Sequence, residues 1–594
     1  MTRWFHLLIA LCISSLTVAR ADELATLAER IRRNPGTAAR EGAFRQLVIT
    51  GLAEGKTREA LQSLAEFIGL GFNRNPKREL SFQQLDLLAH AADASVFLAL
   101  AERQGGSTAY RRDVLDWLAG DAERFELFLN TVSPEDDWQA MMAIFSQLYD
   151  HDPKQRDEYF ALILALAVVW DQSRPPLHNQ TGGKQLPYEP DLPARYEYFR
   201  DLYASRRSAM PYRDLSVTAL TFVVDVPVPL AELQWLRENE QPRAWDKKYS
   251  DIVYSDRRLN AKIYQWPHGP YNLAAIKEQG GICVDQGYYA VLAARAWGLP
   301  ALLFTGEGRR GPHAWFGYMR NKTSWETEVG RYTYDKYAAG HAVDPQTNQP
   351  MSDHYVEYAC DRTLAYDRYR GAARYARLGH VLAALGYPSA ARQAADRSVT
   401  EAPLYEFGWQ VLETLLAKEQ ANQELVDLLE RKANTFRRHD EFVAVIHHRQ
   451  AEVLRAMGEN ERADRLIDRK ARSMGRSDRD DLARFLSNEQ IKIAYEKGDY
   501  AGALKRFEDL LRDQRHEGHK VFNLMEEYLA LAAATDQNAE AAKFLGRFVN
   551  TLRGLYARSN DNERLFLNIL AKAYEQAGDE RNLARTRKQL ADLR

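Results

Sequence analysis

Cys283 follows a glycine pair, Gly280-Gly281, and opens a stretch that predicts a helix running to about Trp297, where Gly298 ends it and Pro300 prevents its continuation. The two glycines free the backbone for a tight approach. A helix N-terminus presents unpaired N–H groups and a partial positive charge, and both favour thiolate over thiol. Ala301 to Thr305 predicts a buried strand, and Gly306 to Gly311 a loop that leads to His313. The alternation in HAWFGYM puts His313, Trp315, Gly317 and Met319 on one strand face. A short turn, Arg320 to Ser324, then returns the chain through WETEV, in which Glu326 and Glu328 share a face. A thiol at a helix start, an imidazole on a later strand and a carboxylate on the next are the groups that cysteine nucleophilic catalysis uses. The imidazole takes the thiol proton, and the acid fixes its tautomer and stabilises the imidazolium. The Cys283 N–H is a natural oxyanion donor, with Gln265 and Gln279 as upstream side-chain candidates.

Three spaced features carry a resemblance: Gly281-Ile282-Cys283 before a helix, the hinge from Arg295 to Ala301 (RAWGLPA), and the strand His313-Ala314-Trp315. In this order they resemble the transglutaminase-like superfamily of papain-type cysteine enzymes, over a minor part of the chain. The resemblance implies Cys283 as nucleophile and His313 as general base, acting on an amide or peptide bond through an acyl-enzyme thioester. Water as acceptor would make the protein a cysteine hydrolase or peptidase, and an amine acceptor an acyltransferase; the family contains both. Its third member is usually an aspartate on the strand after the histidine, following a tryptophan. Here Trp325 is followed by Glu-Thr-Glu-Val, so Glu328 takes the place, with Asp335 and Asp344 as alternatives. A glutamate there also admits a second reading, a non-catalytic transglutaminase-like domain in a helical-repeat protein-binding scaffold.

Other signals are weaker. Trp266 and Trp315 are candidates for a substrate cleft or for core packing, and Cys360 reads as structural. GEGRRG (Gly306 to Gly311) lacks the lysine and hydroxyl residue of a phosphate-binding loop. His447, His448 and Glu452 could place two ligands on one helix face, without an evident third. No metal or cofactor is expected.

The elements around the site fall into a mostly α chain with a central α+β domain. Residues 22–173 predict a helical domain, in which Ser133-Pro134-Glu135-Asp136 and Asp152-Pro153 read as helix starts and Phe160 to Trp170 as a buried core helix. Residues 174–194 read as a Pro/Gly-rich linker or loop, and its five prolines and Gly182-Gly183 suit a segment draped over a neighbouring domain. Residues 195–355 form the transglutaminase-like α+β domain, with LTFVVDVPVPL (Leu220 to Leu230) reading as a strand and turn and YQWPHGPYN (Tyr264 to Asn272) as an aromatic cluster. Residues 365–594 read as a helical-repeat domain. Turn-like breaks recur near Gly386, Asn422, Gly458, Gly498, Asn538 and Gly578, at spacings of 36, 36, 40, 40 and 40. The pattern resembles tetratricopeptide-type repeats in architecture, with a longer and less regular period, and suits a protein partner.

The first 21 residues read as a signal peptide, with Arg3 before an apolar run and Ala19-Arg20-Ala21 at the cleavage site. An exported protein, periplasmic or secreted, is expected, with no stable membrane span after cleavage. The chain of 594 residues has 80 basic and 82 acidic side chains, a net charge of −2, which gives nucleic-acid binding by counterion release little support. Its three cysteines, one of them Cys12 in the leader, exclude a disulfide framework and a four-cysteine zinc site.

Overall fold

The computed structural model describes residues 23–33, 37–70, 72, 79–105, 110–183, 187–308, 311–332, 339–361, 369–476, 479–515, 520–556 and 560–593. The expected signal peptide, residues 1–21 with Cys12, lies outside them. The chain is mostly helical and carries one small sheet. It divides into two compact units, described in turn: Met1–Phe304, Trp315–Gly330 and Ala342–Ala421 form the first, and Thr305–Ala314, Arg331–His341 and Asn422–Arg594 the second.

The first unit begins with helices throughout, from Glu23–Arg33 to Phe160–Trp170. Phe160–Trp170 is sealed along almost its whole surface, as its unbroken apolar sequence requires. The Phe82–Gly105 helix contains a stretch, Phe82–Arg103, long and apolar enough to cross a membrane. In this fold most of that stretch is buried in protein. The helix also carries Asp93, which accepts Arg377 Nε at 2.6 Å from the Arg370–Ala384 helix. Arg370 and Arg374 of the same helix reach Glu126 at 2.9 and 3.0 Å. The first helix after residue 365 is thus pinned to the N-terminal helices by charge.

Local chemistry moves three of the expected boundaries. The helix expected at Ser133 begins instead at Trp138. Asp137 caps it, accepting the N–H groups of Gln139 and Ala140 at 3.1 and 3.0 Å. Ser133 to Asp136 closes as a turn, with Asp136 N–H on the Ser133 carbonyl at 3.2 Å and Ser133 N–H on Asp136 Oδ2 at 2.7 Å. Asp152-Pro153 does not start the next α-helix. Asp152 ends Trp138–His151 and caps a turn through Gln155 N–H at 3.1 Å, and the next helix begins at Phe160. The expected strand at Leu220 to Leu230 is a helix, Val217–Val224, followed by an irregular segment. Ser216 caps it through Ala219 N–H at 3.2 Å. Its β-branched residues are buried on nearly every side, and that packing overrides their strand preference.

The Pro/Gly-rich segment crosses the surface of the aromatic cluster. Trp266 N–H bonds the Gln180 carbonyl at 3.2 Å, and Gly182 N–H bonds Gln265 Oε1 at 3.2 Å. Asp191 then caps the Leu192–Ala204 helix, with Pro193 in its first turn.

The sheet has strands β1 (Ala301–Gly308), β2 (Gly311–Asn321), β3 (Ser324–Val329), β4 (His341–Val343) and β5 (Pro350–Ser352), in the order β3-β2-β1-β4-β5. β2 and β3 pair antiparallel, Phe316 with Val329 and Tyr318 with Glu326; β1 and β4 pair antiparallel at Thr305 and His341. The six-residue loop expected at Gly306 to Gly311 is shorter: β1 continues to Gly308 and β2 starts at Gly311.

After residue 369, successive helices are joined by turns at the expected breaks. Each turn holds a left-handed residue: Gly386 (φ 86), Gln420 (φ 55), Gly458 (φ 84), Gly498 (φ 76), Asp536 (φ 55) and Gly578 (φ 67). Four are glycine, the residue that adopts this conformation without strain. Within the second unit, Leu511, Met525, Tyr528, Leu545, Val549 and Leu552 belong to one buried cluster built from neighbouring helices.

Candidate functional site

The turn before Cys283 is held from both sides. Gly281 N–H donates to the Val253 carbonyl at 2.9 Å, and Ser255 N–H to the Gly281 carbonyl at 2.8 Å. Gly280 has φ +71, and a Cβ there would stand 2.4 Å from the Val253 oxygen. A Cβ on Gly281 would stand 2.4 Å from Asp285 Cβ. Both positions therefore require glycine, one for conformation and both for space.

Cys283 is the first residue of the Cys283–Ala296 helix. Every later residue of that helix is buried, whereas Cys283 is partly exposed. The N-cap, Ile282, has no side-chain oxygen, so the cap is supplied from within: Asp285 Oδ2 accepts Ile282 N–H at 2.8 Å. Asp285 is fully buried. Its carboxylate also takes Arg258 Nη1 at 2.7 Å and Tyr271 OH at 3.0 Å. Burial pushes its pKa up, against the opposing pull of these donors.

The network continues to His178. Gln180 N–H donates to His178 Nδ1 at 3.1 Å, which leaves the proton on Nε2. Nε2 then donates to the Tyr271 oxygen at 2.8 Å, and Tyr271 donates on to Asp285. Burial pushes His178 down to about 4, so it is neutral in this chain. Arg258 also donates to the carbonyls of Tyr264 and Gln265 at 3.1 and 3.3 Å and lies over the Trp266 ring at 5.4 Å. None of these four residues was legible as a group in the sequence. The one local signal is an acid at the third helix position behind a cap residue that cannot cap.

The hinge is a brace. Arg295 Nε and Nη2 donate to the Ala301 carbonyl at 3.1 and 2.9 Å, and Nη1 meets Asp225 Oδ2 at 3.1 Å. Arg174 shares Asp225 at 3.1 Å. Gly298, with φ +70, accepts Tyr203 OH on its carbonyl at 3.1 Å. One turn beyond Cys283, a Cβ on Gly287 would lie 2.6 Å from Leu303 Cδ1 and 3.6 Å from the Trp315 carbonyl, so the helix lies close on β1 and β2. Trp315 is 0% and Trp266 3% exposed. Both are core residues, which removes them as walls of an open cleft. Trp315 Nε1 donates across to the Thr327 carbonyl at 2.8 Å.

His313 is buried on β2 within the second unit, its ring stacked on Tyr332 with centroids 4.0 Å apart. Glu328 belongs to the first unit and is exposed on β3, where the pairing with β2 shifts register between Phe316 and Tyr318. Asp335 lies outside the described residues. Asp344 closes a turn after β4, accepting the N–H groups of Gln346 and Thr347 at 2.9 and 3.0 Å. Gln265 accepts from Gly182 N–H, and Gln279 is exposed at the end of the Leu273–Gln279 helix.

Neither Cys283 nor Cys360 is in a disulfide. Burial pushes Cys360 up to about 12, which suits a structural role. The His447 group does not converge. His447 bonds Gln450 at 3.0 Å, His448 pairs with Glu489 at 3.2 Å, and Glu452 pairs with Arg449 at 2.8 Å. Among the described residues, no three His, Cys, Asp or Glu side chains are grouped to hold a metal ion.

No family model matches this chain, and no curated protein matches it. Solved structures similar to it include the crystal structure of the APC/C hetero-tetramer Cut9-Hcn1, at 12% identity over 96% of this chain and 99% of that one, with a TM-score of 0.20. A second is the human IFIT1 dimer with PPP-AAAA, at 11% identity over 97% of this chain and 95% of that one, with a TM-score of 0.17.

Proposed function

We propose that this chain is an exported thiol acyl-transfer enzyme of transglutaminase-like type, in which Cys283 attacks an amide carbonyl of a protein or peptide. The proton of the thiol passes to His313 and then to the leaving amine as the acyl thioester forms. Water or a second amine then releases the acyl group. The observation that carries the reading is the position of Cys283: the partly exposed head of a helix otherwise buried, behind two glycines that admit no side chain. Further support comes from sequence order on the elements, since Gly287 shares a helix face with Cys283 and approaches Trp315, two residues after His313 on β2. Glu328 is the proposed acid. The apolar run after Arg3 and the Ala19-Arg20-Ala21 site support a periplasmic or secreted location.

The test is acylation by p-nitrophenyl acetate, read as nitrophenol release and as acetyl mass on tryptic peptides. The thioester forms on Cys283 faster than on Cys360, and His313→Ala slows it. Equal acetylation of both cysteines, or no effect of His313→Ala, would contradict the proposal.

A second reading is favoured by the exposed Glu328, a glutamate where the family carries aspartate. In it the central domain is a non-catalytic module of a helical-repeat scaffold that binds proteins. Under that reading Cys283→Ser leaves cellular function and partner capture intact.

A further inference from the structure

The second unit contains a groove of about 530 Å³ lined by residues of two helices, Tyr500–Asp513 and Asn538–Leu555, and by Arg515 just beyond the first. Its floor is aromatic: Phe544 and Phe548 stack with centroids 5.4 Å apart, and the Arg512 guanidinium lies 5.0 Å from the Phe544 centroid. Its walls carry Arg512, Arg515, Lys543 and Arg547 against two acids, Glu508 and Glu540.

The charges are unevenly committed. Glu508 is already held by Arg512 at 3.1 Å and by Tyr528 OH at 3.3 Å. Lys543 and Arg547 are exposed, one helical turn apart on the same face, and have no ion-pair partner among the described residues. Like charges at that spacing oppose helix formation. In a chain whose net charge is only −2, this is a local positive surface over an aromatic floor. The volume lies in the range of a specific pocket and suits a few residues of extended chain.

We propose that this groove binds an acidic segment of a partner protein, with an apolar or aromatic side chain seated on Phe544 and Phe548 and carboxylates reaching Lys543 and Arg547. The aromatic floor would also stack a nucleobase. Glu508 and Glu540 would repel a continuous phosphate backbone, which favours a peptide whose charges are spaced by uncharged residues. The inference rests on reading the repeats as a partner surface, and is independent of the thiol chemistry.

The test uses the full chain and a fluorescein-labelled peptide, Glu-Gly-Phe-Gly-Glu, with binding read by anisotropy. Binding weakens about tenfold or more in Lys543→Ala with Arg547→Ala, and weakens with added salt. It is unchanged in Lys588→Ala, an exposed cation outside the groove, and in Cys283→Ser. Both groove side chains are exposed, and an unchanged melting curve separates lost binding from lost folding. Absence of peptide binding, wild-type affinity in the double variant, or tighter binding of a single-stranded oligonucleotide would each overturn the proposal. Loss of acylation in Cys283→Ser with peptide binding retained separates this site from the thiol site.

Discussion

Arg258 and Asp285 form a buried ion pair, Nη1 to Oδ2 at 2.7 Å, two residues along the helix from Cys283. Asp285 also takes the Ile282 N–H, so one carboxylate joins the entry loop, the first turn of the helix and a distant arginine. Removing one partner of a buried pair leaves the other charge uncompensated, at a cost of about 3–5 kcal/mol. Arg258→Ala is therefore expected to lower unfolding stability by about that amount in urea titration, and a loss under about 1 kcal/mol would contradict the role given to the pair.

Gly280 and Gly287 make a contrasting pair. A Cβ at Gly280 meets a backbone oxygen at 2.4 Å with φ +71, whereas a Cβ at Gly287 meets the end of the Leu303 side chain at 2.6 Å. A leucine methyl can move and a carbonyl fixed by hydrogen bonds cannot. Gly280→Ala is expected to destabilise the chain by more than Gly287→Ala, by about 1 kcal/mol or more. Thermal midpoints in the reverse order would sink this account of the turn.

A buried pair of acids predicts a pH dependence. Burial pushes Asp171 up to about 7 and Asp136 well above the usual carboxylate range, and each Asp136 oxygen lies 3.0 Å from Gln346 Nε2. A carboxyl whose folded pKa is raised gives stability that is full below its unfolded pKa near 4 and is lost as pH rises through the folded value. Stability from Asp171 thus falls between about pH 4 and pH 7. Asp171→Asn removes that slope, so the urea midpoints of variant and parent should diverge differently at pH 5 and pH 7.5. Parallel curves would contradict the shift.

Asp93 and Arg377 couple the N-terminal helices to the helix after residue 369, at 2.6 Å and largely out of water. Arg377→Ala is expected to cost about 3–5 kcal/mol, while Asp93→Leu with Arg377→Leu recovers much of the loss. Calorimetric melting of the two variants distinguishes these outcomes, and equal losses would argue against the pair.

What could be read from the sequence was local or periodic. The glycine pair, the helix from Cys283 and its stop at Gly298 are written in consecutive residues, and the repeat turns announce themselves by Gly and Asn at near-constant spacing. The Val217–Val224 helix was hidden because its β-branched composition says strand, while its state is decided by burial on nearly every side. Asp137 prevailed over Ser133 as a cap through hydrogen-bond geometry that neighbouring acids do not reveal. The His178–Tyr271–Asp285 relay joins a proline-rich loop, an aromatic cluster and a helix, and no spacing rule connects segments that far apart. Trp266 and Trp315 looked equally suited to a cleft or a core, and only their burial decides for the core.

The most direct test of the thiol account is the rate of iodoacetamide alkylation at Cys283 against pH, measured by mass spectrometry in a Cys360→Ser background with and without His313→Ala. The account predicts rapid alkylation of Cys283 at neutral pH when His313 is present, and a profile displaced toward that of an ordinary thiol when it is replaced. Superimposable profiles, both of an ordinary thiol, would contradict it.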